Sequence, residues 1–188
     1  MGRWEPNASG RLSKAAMELY VERGFEQTTV AEIAQRAGLT ARTFFRYFTD
    51  KREVLFAGSA TLQENLVTAL ADAPASASPM VAVSAALDAA AAMLGGRRDY
   101  SRQRQAVIAA NAELRERELI KMASLSAALA EGLRRRGVTD PDATLAAEAG
   151  IAVFRVSFER WVTAADDQEL SQVMRDSLDQ LKALTADR

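Results

Sequence analysis

Residues 28–56 read TTVAEIAQRAGLTARTFFRYFTDKREVLF, and signals for helix boundaries are dense in this stretch. Thr29 and Glu32 stand at the spacing of a capping box, in which the two residues satisfy free backbone N–H groups at a helix start. Gly38 suits the left-handed conformation that ends a helix, and Thr40 can cap a new one. The pattern predicts two short helices joined by a tight turn, which is a helix-turn-helix. The predicted helices span about 30–37 and 40–47.

One helix is predicted before this stretch and another after it. In RLSKAAMELYVERGF, residues 11–25, apolar residues recur at the spacing of one helical face. Asp50 and Glu53 repeat the capping-box spacing and predict a fourth, longer helix that runs to about Leu70. Three short helices followed by a long one are typical of a helix-turn-helix domain with its supporting helix.

The rest of the chain also has the composition of helices. ADAPASASP, residues 71–79, contains two Pro among small residues and is either a linker or a loop between helices. Beyond it the sequence is rich in Ala and other good helix formers. The predicted helices there span about 80–94, 100–111, 114–135, 141–164 and 167–185. The expected fold class is therefore all-α, with about nine helices.

The composition excludes several kinds of chemistry. The 188 residues include neither His nor Cys, so zinc sites of the usual ligand type, disulfides and imidazole-based serine triads are impossible. A di-metal helical bundle needs Glu-x-x-His pairs and is excluded for the same reason. We expect no catalytic residue, no metal and no cofactor, and a protein that is not an enzyme.

The sequence predicts a cytoplasmic protein. Its most apolar stretch, residues 80–94, is too short for a membrane span and is interrupted by Asp88. The first ten residues, MGRWEPNASG, lack the apolar centre of a secretory signal. Arg3 and Trp4 precede the first helix; they form either an arm along DNA or, as we favour, a disordered terminus.

The third predicted helix carries residues suited to DNA. The net charge of −1 makes the chain as a whole neither basic nor acidic, so what matters is where the basic residues stand. On an ideal helix Phe44 and Phe48 share one face, whereas Arg42, Thr43 and Arg46 lie on another. Arginine has a two-donor fork that matches O6 and N7 of guanine. We therefore assign the aromatic face to the core and Arg42 to base recognition.

Contacts to the DNA backbone are expected around the same helix. Thr40 and Thr43 can donate to a phosphate or touch a thymine methyl group. Lys51 stands in the first turn of the predicted fourth helix, where the helix dipole already favours an anion. The expected base contacts are Thr40, Ala41, Arg42 and Thr43. The expected phosphate contacts are Thr28, Thr29, Arg46, Tyr47 and Lys51.

This order of residues resembles the DNA-binding segment of the tetracycline-repressor (TetR) family of bacterial transcriptional regulators. The family pattern is a Thr-Val-x-x-Ile-Ala helix, then Gly-Val-Ser-x-x-x-Leu-Tyr-x-His-Phe, then Lys-x-x-Leu. The resemblance covers roughly residues 9–58. The matching residues are Thr29, Val30, Ile33, Ala34, Gly38, Phe48, Lys51, Val54 and Leu55.

Three departures from the family pattern lie in the third helix. The family's frequent Tyr, which gives its hydroxyl to a phosphate, is Phe45 here, and its frequent His is Tyr47. The small start of the family's recognition helix is replaced by Thr40-Ala41-Arg42. Operator preference therefore cannot be transferred from relatives. For Phe45 the sequence leaves two roles open: stacking on a sugar or thymine methyl group, or packing against the second helix.

The resemblance implies an all-α homodimer whose N-terminal domains occupy successive major-groove half-sites of double-stranded operator DNA. Most members are repressors released by a small-molecule effector, which we expect here. In these terms residues 1–50 form the helix-turn-helix DNA-binding domain and residues 51–188 the effector-binding and dimerisation domain, connected by the helix from about residue 50. The alternative is a helical protein-interaction adaptor that does not bind DNA.

The last helices are assigned to the dimer interface and the effector pocket. The predicted helix 141–164 is apolar nearly all round and must be covered on more than one side, and the last helix has a narrower apolar stripe typical of a bundle seam. Because Met and Phe line adaptable apolar pockets, they guide the choice of pocket residues for a small, partly apolar effector. The expected interface residues are Val153, Val156, Trp161, Leu170, Val173, Met174, Leu178 and Leu181. The expected pocket residues are Met93, Met122, Leu125, Phe154 and Phe158.

Overall fold

A computed structural model describes residues 7–165 and 167–186 of the chain. These residues form nine α-helices and two short 3₁₀ helices and contain no strand, which confirms the predicted all-α fold. The α-helices are α1 (Ala8–Arg23), α2 (Val30–Arg36), α3 (Ala41–Tyr47), α4 (Ser59–Asp72), α5 (Pro79–Leu94), α6 (Arg98–Ala110), α7 (Ala112–Arg135), α8 (Asp142–Thr163) and α9 (Leu170–Thr185). The 3₁₀ helices are Glu53–Phe56 and Gly95–Arg97. Arg3 and Trp4, considered above as an arm, lie outside the described residues.

Contacts along the chain define two compact units. Unit 1 comprises Met1–Gly58 and Gln103–Glu116, and unit 2 comprises Ser59–Arg102 and Arg117–Arg188. The predicted division after residue 50 therefore falls inside unit 1. Helices α6 and α7 each contribute residues to both units.

Apolar faces of the first three helices build the core of unit 1. Leu12 of α1, Ile33 of α2 and Phe44 of α3 are each fully buried. Burying a large apolar side chain stabilises a fold by about 1.5–3 kcal/mol. These three residues fix the short helices α2 and α3, which are too short to be stable alone.

The helix predicted to run from Asp50 to about Leu70 is broken in two. Asp50 does cap the turn, because its Oδ1 accepts hydrogen bonds from the backbone N–H groups of Arg52 (2.8 Å) and Glu53 (3.3 Å). The chain then forms the 3₁₀ helix Glu53–Phe56, and α4 begins only after Gly58. The prediction of one continuous helix was wrong because glycine, a poor helix former, interrupts it.

The core of unit 2 requires close packing between α5 and α8. Gly150 of α8 faces Val83 of α5, and a Cβ atom added at Gly150 would lie 2.5 Å from Val83 Cγ1. Real Cβ atoms do not approach a neighbour so closely, so glycine is the residue that permits this helix crossing.

In the part of the chain that the structure describes, one helical stretch, Pro79–Ala110, is long and apolar enough to cross a membrane by length and composition alone. The core helix of a soluble protein meets the same criteria. Here α5 contributes core residues to unit 2, and a single stretch of this kind is weak evidence for a membrane span. Its buried residues are Ala82, Val83, Ala86, Leu87, Ala90 and Ala91.

Candidate DNA interface

Helix α3 is anchored on one side and open on the other. Phe44 is fully buried and Phe48 is 7% exposed, and their ring centres lie 5.4 Å apart. Arg42 and Arg46 are exposed and lie one helical turn apart on the opposite side. Phe45 is also exposed. The division of α3 into a core face and a polar outward face is therefore as predicted, with Phe45 on the outward side.

The first turn of α3 is held by two threonines. Thr40 Oγ1 accepts a hydrogen bond from the backbone N–H of Thr43 at 3.1 Å, as an N-cap does. The two hydroxyl oxygens lie 3.0 Å apart and share a further hydrogen bond. Because a hydroxyl both donates and accepts, the pair keeps capacity for one more donor or acceptor from outside. Ala41, between them, is exposed.

The turn between α2 and α3 depends on Gly38. Its φ of 67° lies in the left-handed region that side chains disfavour. Its N–H donates to the Gln35 carbonyl and the Leu39 N–H donates to the Ala34 carbonyl, which closes α2 with a Schellman motif. Arg11 of α1 donates to the carbonyl of Ala37 in the same turn. Sequence spacing gave no signal for this last contact, because its partners are 26 residues apart.

Thr29 forms the predicted capping box with Glu32. The Glu32 Oε2 atom accepts from the Thr29 N–H at 2.9 Å and from its hydroxyl at 2.8 Å, and Thr29 Oγ1 in turn accepts from the Glu32 N–H. The backbone N–H and hydroxyl of Thr29, with the Arg23 guanidinium, lower the pKa of the Glu32 carboxyl. Both donors of Thr29 are thus engaged within unit 1, beside a carboxylate that repels phosphate.

The side chain of Thr28 lies inside unit 1. It is 1% exposed, and its hydroxyl donates to the carbonyl of Gly24 at 2.9 Å. Its hydroxyl donor is therefore engaged within unit 1, and its predicted contact with a phosphate stays a prediction. The sequence did not distinguish the two adjacent threonines, of which one caps α2 and the other closes the preceding turn.

Lys51 holds the turn between α1 and α2. Its Nζ donates to the carbonyl oxygens of Phe25 (2.8 Å), Thr28 (3.1 Å) and Glu26 (3.3 Å). An ammonium group has three N–H donors, and these three carbonyls account for all of them. Tyr20 donates its hydroxyl to the Lys51 carbonyl at 2.6 Å. The side chain of Lys51 thus points into a ring of carbonyls in this conformation, and its predicted phosphate contact stays a prediction.

Arg46 and Tyr47 form an exposed pair at the end of α3. Arg46 Nη2 donates to the Tyr47 hydroxyl at 3.1 Å, and the guanidinium carbon lies 5.0 Å from the centre of the Tyr47 ring. Tyr47 is 41% exposed. Its hydroxyl hydrogen and the remaining Arg46 donors find no acceptor among the described residues and suit phosphate oxygens.

Basic side chains also line an open cleft between α1 and α2. The cleft has a volume of ≈ 420 Å³. Arg36 is paired there with Glu22 through two hydrogen bonds of 2.9 Å and with Glu18 at 3.5 Å, so its charge is largely balanced. The cleft is lined by Arg11, Lys14, Ala15, Glu18, Arg36, Ala37 and Gly38.

Comparison with known families agrees with the geometry of unit 1. Residues 12–57 match the family described as "Bacterial regulatory proteins, tetR family". Residues 77–186, more than half of the chain, match the "MftR C-terminal domain". The chain belongs to the TetR family. The resemblance predicted from the helix-turn-helix residues is thereby confirmed.

Individual TetR-family proteins are similar over different parts of the chain. The transcriptional regulator TcmR of Streptomyces glaucescens is 38% identical over 89 residues, which are 47% of this chain and 38% of that protein. The matched segment thus spans less than half of TcmR. FadR of Thermus thermophilus, a TetR-family repressor solved with lauroyl-CoA, is 25% identical, covers 96% of both chains and has a TM-score of 0.59. FadR of Bacillus subtilis, solved with stearoyl-CoA, is 21% identical over 92% of this chain and 96% of that chain, with a TM-score of 0.61.

In unit 2 of this TetR-family chain, the five predicted pocket residues belong to one apolar cluster. Leu125 and Phe154 are buried in it, and Met93, Met122 and Phe158 pack against it partly buried. The rings of Phe154 and Phe158 are stacked with centres 5.9 Å apart. Among the described residues, no three His, Cys, Asp or Glu side chains are grouped to hold a metal ion.

Most residues predicted for the dimer interface lie in the core of their own subunit. Leu181 also packs against that core, whereas Val156 is 53% exposed. An apolar face shows which side of a helix is covered, not which chain covers it, so the assignment of these residues to a dimer interface stays a prediction. Helix α9 packs on α5 and α8 of the same chain. The buried residues are Val153, Trp161, Leu170, Val173, Met174 and Leu178.

The end of α6 and the start of α7 are part of unit 1. Arg104 Nε donates to the carbonyl of Leu55 at 2.8 Å, and its guanidinium lies 5.1 Å from the Phe56 ring centre. Arg52 lies 3.8 Å from Glu113. No local sequence pattern marks these contacts, since each joins residues about fifty or more positions apart.

Proposed function

We propose that this protein is a cytoplasmic, homodimeric repressor that binds a two-fold symmetric operator through α3 and is released from it by a small, partly apolar effector. One observation carries the proposal. Arg42 and Arg46 stand exposed on one side of α3 while Phe44, on the other side, is fully buried. A rigidly anchored helix with outward arginines suits the major groove, where arginine pairs with guanine. In this proposal unit 1 binds DNA, and unit 2 serves the effector and the dimer.

We assign individual DNA contacts to the residues of α3 whose side chains are not already engaged inside unit 1. We assign the bases to Thr40, Ala41, Arg42 and Thr43 at the start of α3, and the phosphates to Arg46 and Tyr47. Thr28, Thr29 and Lys51 have their donors engaged inside unit 1, so we assign them to positioning α2 and its preceding turn.

DNA binding is tested with the segment upstream of the protein's own gene in a gel-shift assay over a range of salt concentrations. We expect a specific complex whose affinity falls as salt rises, because phosphate contacts release counterions. Arg42→Ala should lose about 1–3 kcal/mol of discrimination at one base pair in each half-site. Arg135→Ala, which removes an exposed arginine of unit 2, should bind as the wild type does. No shift at any salt concentration would favour the adaptor alternative.

The apolar cluster of unit 2 supports a partly apolar effector. Phe154, Phe158 and the two methionines Met93 and Met122 lie in or against it. The two FadR proteins of similar fold were solved with acyl-CoA thioesters, which makes a fatty acyl-CoA the first ligand class to test. Lauroyl-CoA should raise the melting temperature and dissociate the DNA complex, whereas coenzyme A alone should do neither. Equal effects of the two compounds would exclude recognition of the acyl chain.

The dimer is proposed to form through the outward sides of α8 and α9. Three large apolar side chains are exposed there: Leu145 at 64%, Val156 at 53% and Leu184 at 77%. A second copy would cover them, whereas the predicted stripe is already covered by the subunit itself. Val156→Arg should give a monomer by light scattering. The control is Val81→Arg on α5, which is 55% exposed in the wild type and should leave the dimer intact.

A further inference from the structure

Phe45 is an exposed aromatic residue on the side of α3 that we propose to face DNA. It is 57% exposed, and its ring meets the edge of the Phe44 ring with centres 5.5 Å apart and planes at 84°. The other outward side chains of α3 that follow Ala41 are polar or charged. An apolar ring in this position loses favourable burial unless a partner covers it.

The structure argues against one of the two roles that the sequence left open for Phe45. Packing against α2 does not account for a side chain that remains more than half exposed. A phenyl ring has no hydrogen-bond donor, so it cannot donate to a phosphate oxygen. What remains is an apolar contact with the DNA itself.

The position of Phe45 on α3 indicates which part of the DNA its ring contacts. It follows Ala41 by four residues and Arg42 by three, so it shares their side of α3, whereas Tyr47 lies on the other flank. Residues near the start of a recognition helix meet base edges. The apolar group on a base edge in the major groove is the C5-methyl of thymine.

We propose that Phe45 covers a thymine methyl group in each operator half-site and thereby determines specificity at that base pair. This inference rests on the proposed binding of DNA through α3. Burying one methyl-sized group contributes about fourfold in affinity, and two symmetric half-sites together contribute about fifteenfold. This contact should make the protein prefer thymine to uracil, because the two bases pair identically and differ only in the methyl group.

The test replaces thymines of the operator one at a time by deoxyuridine. The duplex is one selected by the full-length protein from a random-sequence library. The wild type should show one thymine per half-site whose replacement weakens binding about fourfold. Phe45→Ala should bind the thymine and deoxyuridine duplexes equally, whereas Phe45→Tyr, which keeps the ring, should retain the preference. Val21→Ala, which trims another exposed apolar side chain of unit 1, should also retain it.

Different outcomes of this experiment would contradict the role of Phe45 and the proposed binding of DNA. Specific binding with no thymine position sensitive to deoxyuridine overturns the role of Phe45 and leaves DNA binding intact. A preference that persists in Phe45→Ala, in a protein with wild-type melting temperature, also overturns it. If the library yields no bound duplex at all, the proposed function itself is wrong and the role of Phe45 falls with it.

Discussion

The Nζ of Lys51 lies 2.8 Å from the carbonyl oxygen of Phe25 and 4.3 Å from the centre of the same residue's ring. Lys51 thus bonds the backbone and covers the side chain of one residue in the turn before α2. Phe25 is itself 2% exposed and packs edge-on against Tyr20, with ring centres 5.2 Å apart. The lysine therefore joins the end of α3 to the end of α1 and fixes the approach of α2.

Lys51→Met should lower stability without changing the number of phosphate contacts. Loss of hydrogen bonds to partly buried carbonyls costs about 1–3 kcal/mol, which thermal unfolding would detect. If Lys51 does not touch DNA, the slope of log affinity against log salt stays at the wild-type value. A lost phosphate contact would instead reduce that slope by about 0.9 per contact. Lys14→Met, which removes an exposed lysine from α1, is the control for stability.

Gly38→Ala should destabilise unit 1 more than a comparable change elsewhere. Forcing alanine into the left-handed region costs about 1–2 kcal/mol. At Gly38 the new Cβ would also lie 2.9 Å from Arg11 Nη2 and displace the side chain that donates to the Ala37 carbonyl.

Gly137→Ala is the matched control for Gly38. Gly137 ends α7 in the same kind of Schellman turn with a φ of 88°, but nothing lies within 4 Å of an added Cβ. The difference between the two melting temperatures therefore measures the cost of moving Arg11. We expect operator affinity to fall in Gly38→Ala only, because its turn sets the angle of α3. Equal losses of stability in the two variants would show that the Arg11 contact contributes nothing.

Unit 1 should lose stability in acid through carboxyls such as Glu32. Hydrogen bonds from Thr29 hold the pKa of Glu32 below its usual value of 4.5 in the folded protein. A carboxyl with a lowered folded pKa stabilises the fold above its unfolded pKa, and that stabilisation is lost as the pH falls through the folded value. Glu32→Gln should thus be less stable than the wild type at neutral pH, and the difference should shrink below about pH 4.5.

The pH experiment has its control in the same unit. Glu26→Gln changes another exposed glutamate, in the turn between α1 and α2. Chemical denaturation of both variants and the wild type at a series of pH values separates the effect of Glu32 from the general effect of removing one surface carboxylate. A Glu32→Gln difference that stayed constant down to pH 3 would mean that the capping carboxylate does not titrate as the geometry requires.

Sequence signals for helix caps and turns predicted most of unit 1, because each of them depends only on residues close together in the chain. The capping box at Thr29, the cap at Thr40 and the left-handed Gly38 each involve residues within five positions of one another. The core face of α3 was predictable for the same reason, since Phe44 and Phe48 are one turn apart. These features follow from helix periodicity and capping chemistry alone.

Tertiary contacts could not be predicted from such signals. Lys51 reaches carbonyls 23 to 26 residues earlier, and Arg104 reaches a carbonyl 49 residues earlier. The apolar sides of α8 and α9 were predicted to be covered, and Trp161 and Leu178 are indeed buried in the core of their own subunit. Their part in a dimer interface stays a prediction. Periodicity shows that a face is buried and contains no information on whether its own chain or a second copy buries it.

Gly150→Ala should disturb the packing of α5 against α8. The added methyl group would lie 2.5 Å from Val83 Cγ1, and a β-branched side chain cannot rotate away freely. Overpacking of this kind costs about 1–3 kcal/mol, which exceeds the gain of about 1 kcal/mol from alanine's better helix propensity. Gly132→Ala is the control, because its Cβ would meet only the end of the Leu70 side chain at 3.1 Å.

Val83→Ala should relieve the clash, so the Gly150→Ala/Val83→Ala double variant should be more stable than the sum of the single effects predicts. Additive losses in thermal unfolding would show that α5 and α8 separate instead of clashing at this pair.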